Sequence, residues 1–130
     1  MKFLALIYND EHLYTDATPQ DIAATFEAHG KFGQAAGEAG VFLGGEGLQP
    51  SSTATTVKVR DGETIVTDGP FAETREQLGG YYLLECKDLD DALNWAAQIP
   101  EAKTGAIEVR PIMDYEALMP GSTNTEAASA

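Results

Sequence analysis

Residues 65–85, I-V-T-D-G-P-F-A-E-T-R-E-Q-L-G-G-Y-Y-L-L-E, leave few options for the chain around them. A β-branched strand end, Ile65-Val66-Thr67, runs into Asp68-Gly69-Pro70-Phe71. Proline fixes its own φ, gives up an amide donor and disfavours the α region for the residue before it, so a sharp turn is expected here. Gly79-Gly80 then opens an apolar strand from Tyr81 to Leu84. The segment reads as strand, specified loop, strand. Asp68 can accept from backbone amides just beyond the turn. Phe71, a large apolar side chain in a polar loop, is expected to anchor that loop to the core.

The rest of the chain supplies the sheet and helices that this loop joins. In residues 2–8, Phe3, Ala5 and Ile7 point one way and Leu4, Leu6 and Tyr8 the other, so both faces are apolar. A small sheet covers one face with its own helices; a second apolar face calls for a homodimer. Pro19 fits the first turn of a helix, with Thr18 as N-cap, Asp21 in the first turn and Gly40 as the stop. The stripe Ile22, Phe26, His29, Gly33, Ala36 places His29 in the middle of its buried side. Residues 41–43 start a second strand, ended by Gly44-Gly45-Glu46-Gly47. Residues 55–60 and 63–67 flank Asp61-Gly62, a strong hairpin signal. A strand over 80–87, a helix over 90–98 with Leu93, Ala96 and Ala97 inward, and a strand over 106–110 complete the chain. Leaving out the hairpin, the order is β-α-β-β-α-β, the split β-α-β pattern. Residues 1–112 are expected to form one domain, and residues 113–130 a flexible tail.

Charge narrows the partners. Eight basic against 21 acidic residues give a net charge of −13. Nucleic-acid affinity rests on Lys and Arg contacts to phosphate, so no nucleic-acid partner is expected. Anionic membrane surfaces repel such a chain, and no stretch approaches the length of a membrane helix. The single cysteine, Cys86, cannot form an internal disulfide, which fits a cytoplasmic protein. The two histidines, His12 and His29, lie in different elements, and no metal-binding spacing is present. Gly44-Gly45-Glu46-Gly47 lacks the Lys-Ser/Thr and helix of a phosphate loop. Neither a metal nor a cofactor is expected.

The run Asp68-Gly69-Pro70-Phe71-Ala72-Glu73-Thr74-Arg75-Glu76, followed by Gly79-Gly80-Tyr81-Tyr82, resembles the signature of DGPF-type proteins of the YCII-related family. Trp95, Pro100 and Glu108-Val109-Arg110-Pro111 extend the resemblance to residue 111. It implies a ferredoxin-like α+β fold, split β-α-β with a hairpin insertion, paired as a dimeric α/β barrel. It also implies that His29 stands near Asp68 at the hairpin's end. A carboxylate oriented to one ring nitrogen would fix the tautomer and leave the other as a base near neutral pH. His29 and Asp68 are the catalytic candidates, and Phe71, Glu73 and Arg110 the binding candidates.

Each residue also has a purely structural reading. His29 could be a satisfied core histidine, Asp68 a turn cap, and Glu73 part of a solvated loop face. Arg110 could pair with Glu108 or Glu85 to fix a dimer. Two functions stay open. One is a cofactor-independent enzyme acting on a small organic substrate between the first helix and the Asp68–Phe71 loop. The other is a non-catalytic ligand-binding or accessory protein, linked through the resemblance to sigma-factor-dependent transcription.

Overall fold

The computed structural model describes residues 1–119 and 121. Four strands form an antiparallel sheet in the order β2-β5-β1-β6: β1 is Lys2–Asn9, β2 Phe42–Gly47, β5 Gln77–Glu85 and β6 Ala106–Pro111. Strands β3 (Thr55–Arg60) and β4 (Glu63–Asp68) pair only with each other. Among the described residues four helices accompany them: α1 (His12–Thr15), α2 (Pro19–Glu38), α3 (Leu89–Ala96) and α4 (Tyr115–Leu118). Two 3-10 turns cover Ser51–Thr53 and Pro100–Lys103. No helix among the described residues is long and apolar enough to cross a membrane.

Strand β1 organises the core. Phe3, Ala5, Ile7 and Asn9 are buried while the residues between them are half-buried, the period of two that a pleated strand imposes. The buried set packs with Leu84 of β5, Phe32 and Ala36 of α2, Ala92 of α3, and Val41, Cys86 and Ile99. Phe3, Leu84 and Ile99 are fully enclosed, each contributing about 1.5–3 kcal/mol. Leu4, Leu6, Tyr81 and Leu83 lie on the other face, where Leu4 and Leu6 pair with Leu83 and Tyr81 across the ladder.

The start of α2 carries the capping signal found in the sequence. Asp21 N–H donates to Thr18 Oγ1 at 3.1 Å and Thr18 N–H to Asp21 Oδ2 at 3.3 Å, a reciprocal box around Pro19. Its core contact differs from the expected stripe. Phe32 and Ala36 are buried, whereas Phe26 is 70% exposed. The C-terminal half of α2 therefore lies on the sheet and the N-terminal half stands off it. In α3 the inward residues are Ala92 and Ala96, with Leu93 and Ala97 exposed. The helix has turned about one position from the expected register.

The hairpin forms as its sequence dictates, with Asp61 (φ 52°) and Gly62 (φ 78°) as a two-residue turn. Its Val57, Val59, Ile65 and Val66 are exposed. Strand β2 runs through Gly44-Gly45-Glu46-Gly47 instead of ending there. Of the expected tail, residues 115–118 form α4, capped by the Asp114 side chain. Residues 120 and 122–130, on which the flexible-tail expectation falls, lie outside the described residues.

The joint that positions the second 3-10 turn is tight. Gly105 N–H donates to Glu101 O at 2.8 Å, and Asn9 Nδ2 to Thr104 Oγ1 at 3.0 Å. A Cβ on Gly105 would stand 2.0 Å from Tyr8 O and 3.0 Å from Asn9 Cα. Gly105→Ala should therefore lower stability by about 1–3 kcal/mol through backbone displacement. Gly37, inside α2 with open space around it, should give the opposite sign on mutation to Ala, a gain of up to about 1 kcal/mol. Urea unfolding of the two variants checks both; equal effects would contradict the packing described.

Candidate active site

His29 lies on α2 where the helix begins to leave the sheet, half-buried between Thr25-Phe26 and the buried Phe32. Both ring nitrogens are engaged. Nε2 lies 2.7 Å from Glu101 Oε2, and Nδ1 2.7 Å from the Tyr82 hydroxyl. Tyr14 donates its hydroxyl hydrogen to the same Glu101 Oε2 at 2.6 Å. Four side chains from α1, α2, β5 and the second 3-10 turn thus form one continuous polar chain.

Local structure explains how each arrives. Glu101 follows Pro100 at the start of its 3-10 turn, and Ile99, fully enclosed, anchors the turn from below. Tyr82 shares the inward side of β5 with Leu84. Its ring packs on Phe32 (centroids 4.8 Å apart) and on Phe42 (5.8 Å, edge-on), which aims the hydroxyl at His29. A Cβ on Gly45 would stand 2.5 Å from Tyr82 Cδ1. Glycine in the middle of β2 leaves the room in which this ring lies. Tyr14 is carried by α1, which three hydrogen bonds hold down. Gln77 Oε1 accepts from Glu11 N–H at 3.0 Å, and the Glu11 carboxylate accepts from the Ser51 amide and hydroxyl.

Hydrogen-bond roles follow from the carboxylate. Burial pushes Glu101 upward, but hydrogen bonds from His29 and Tyr14 outweigh it and hold the carboxyl below its usual range. An ionised Glu101 only accepts, so His29 Nε2 carries a hydrogen and Tyr14 donates. In neutral His29 the free lone pair is then on Nδ1, and Tyr82 donates to it. Burial, with Glu101 nearby, raises Tyr82; burial and the Glu101 bond raise Tyr14. Both phenols therefore keep their hydrogens at neutral pH. Glu101 is 4% exposed, yet its Oε1 has no hydrogen-bond partner among the described residues.

These groups line a cavity of about 460 Å³ between the raised half of α2, the start of β5 and the loop after β2. Ile7, Phe26, Leu48 and Leu78 make much of its wall apolar, and Glu11 and Glu46 also line it. The sequence candidates fall differently. His29 is within the cavity; Asp68, Phe71, Glu73 and Arg110 do not line it. Asp68 ends β4, exposed, and the partner position on His29 is held by Glu101. The turn at Gly69 is fixed by backbone, through Gly69 N–H to Ala54 O (2.7 Å) and Thr56 Oγ1 to Gly69 O (2.8 Å). Phe71, expected to anchor its loop in the core, is 79% exposed with Lys58 Nζ over its ring at 5.3 Å. Arg110 pairs with Glu108 on the sheet face opposite the helices. Cys86 is buried, and burial pushes its thiol up, as suits a packing residue.

Tyr82, Glu101 and Tyr14 were not singled out from the sequence. The alternation Gly80, Tyr82, Leu84 could have revealed Tyr82 as an inward hydroxyl. Glu101 and Tyr14 sit on elements of four residues each, too short for periodicity to register.

Comparison with known proteins adds the lineage. A model of the YCII-related domain matches residues 1–116. An uncharacterized protein of Rhizobium meliloti (strain 1021) is 38% identical over 118 residues, covering 89% of this chain and 95% of that protein. With the family model spanning the whole sheet, both main helices and every residue of the polar chain, the protein belongs to the YCII-related family.

Proposed function

We propose that the protein is a cofactor-independent enzyme that moves a proton to or from a small organic substrate, with His29 as the base. The observation that carries this reading is the chain Tyr82–His29–Glu101, with its hydroxyl end lining the cavity. Tyr82 O–H points at His29 Nδ1, which leaves the phenol oxygen's lone pairs for a substrate hydrogen. As the substrate's proton reaches Tyr82 O, the phenol's own proton passes to Nδ1. The imidazolium that forms already donates Nε2–H to the Glu101 carboxylate, so the new positive charge arises beside a fixed negative one. In reverse the same chain is a general acid. Tyr82 is the catalytic residue that touches substrate, and Glu101 positions His29 and balances its charge.

A neutral carbon acid tests the base without knowledge of the natural substrate. In 5-nitrobenzisoxazole a base removes the C3 hydrogen as the N–O bond breaks, giving a coloured cyanophenolate. The wild-type protein should accelerate this above free imidazole at the same pH. His29→Gln and Tyr82→Phe should each lose about 100-fold or more, the usual worth of a positioned base. Equal rates for wild type and both variants would contradict the reading.

The assembly we propose is a ferredoxin-like unit paired through its open sheet face as a dimeric α/β barrel. Leu4, Leu6, Tyr8, Tyr81 and Leu83 give that face its apolar character, and the buried residues of α2 and α3 pack on the other one. The exposed apolar residues of the hairpin support a second surface of the same interface. A specific pair should bury at least about 1,000 Å² in total. Sedimentation at micromolar concentration should show a dimer, and Leu6→Glu should shift it to monomer; a monomeric wild type contradicts the assembly.

A further inference from the structure

We infer that the cavity selects a small organic cation, a primary ammonium group on an apolar or aromatic body, whose N–H donors are received by Glu101 Oε1. This rests on the reading of the cavity as the substrate site, and it adds the substrate's charge and its handle.

The first observation is the unfilled acceptor. Glu101 lines the cavity, is 4% exposed and directs both protein donors to Oε2, leaving Oε1 without a partner. A buried carboxylate oxygen with no donor is costly, and a bound N–H group would remove that cost. The second is charge. Among the twenty described lining residues there is no lysine or arginine, while Glu11, Glu46 and Glu101 are all present. An anionic ligand would meet three carboxylates there and neither lysine nor arginine. The third is the wall. Tyr14, Phe26 and Tyr82 present aromatic rings, whose faces attract ammonium groups and whose area covers an apolar body. The net charge of −13 enriches cations around the whole molecule.

Glu101 is held as carboxylate by His29 and Tyr14, so the acceptor is ready before the ligand arrives. An ammonium there leaves the Tyr82 oxygen free to face a hydrogen elsewhere on the same molecule. The natural substrate class is therefore a small amine.

Benzylamine, benzyl alcohol and benzoate have similar bodies and differ in charge. Titrated into the wild-type protein by calorimetry at low salt, benzylamine should bind at least 10-fold tighter than benzyl alcohol, with benzoate weakest. Glu101→Gln should weaken benzylamine at least 10-fold and leave benzyl alcohol within about 2-fold. Should that buried variant fail to fold, the exposed Glu46→Gln carries the test, and it should narrow the amine-to-alcohol ratio. Benzoate binding as tightly as benzylamine, or a ratio indifferent to both variants, overturns the proposal. Absence of benzylamine binding in a protein that still turns over 5-nitrobenzisoxazole overturns the cation preference alone; absence of both overturns the substrate-site reading as well.

Discussion

The bond between His29 Nε2 and Glu101 Oε2 holds the site together, and several features of the fold exist on its account. It joins the long helix α2 to the short turn between α3 and β6, two elements far apart in sequence. A buried carboxylate is tolerable only while donors face it, and His29 and Tyr14 are those donors. Removing either leaves a charge with less compensation in a nearly closed environment, so the pair resists separation. The bond also marks where α2 parts from the sheet. Beyond it Phe32 and Ala36 pack on the core; before it Phe26 stands in the open, and the space beneath is the cavity.

From that constraint the remaining parts take their roles. Tyr82 is set by rings on two sides and by the missing side chain at Gly45, so its hydroxyl has little freedom to seek another partner. Glu11 ties α1 to Ser51 and, through its amide, to Gln77, which fixes both Tyr14 and the cavity's rim. The polar chain is therefore carried on elements that are each held by something other than the chain itself. A site of this kind keeps its geometry when a ligand enters.

Much of the fold was legible because it rests on local rules. An apolar run over residues 2–8 announced β1, Thr18 and Asp21 announced the start of α2, and Asp61-Gly62 announced the hairpin. His29 was legible as a residue on the inward side of an amphipathic helix. Its partner was not. Asp68 opens a turn constrained enough to suggest a role, yet backbone bonds through Gly69 and Ala54 account for that turn. Glu101 follows a proline at the end of a helix, where a sequence reading expects only a connection. Its inward direction depends on Ile99 and on the close approach of Gly105 to Tyr8, and both are tertiary facts. Phe71 shows the converse limit, since an apolar side chain in a polar loop carries no information about what lies next to it.

Ring-nitrogen NMR of the two histidines tests the central claim most directly, because their surroundings demand opposite tautomers. His12 is exposed and presents Nδ1 to Asp10 Oδ1 at 2.8 Å, so its neutral ring carries hydrogen on Nδ1. Neutral His29 must carry hydrogen on Nε2, facing Glu101, with Nδ1 as the bare acceptor for Tyr82. In nitrogen-15-labelled protein above the titration of both rings, His29 should show a protonated Nε2 and a pyridine-like Nδ1, and Glu101→Leu should abolish the preference. A His29 ring protonated on Nδ1, or one averaging between tautomers in the folded wild type, would contradict the account.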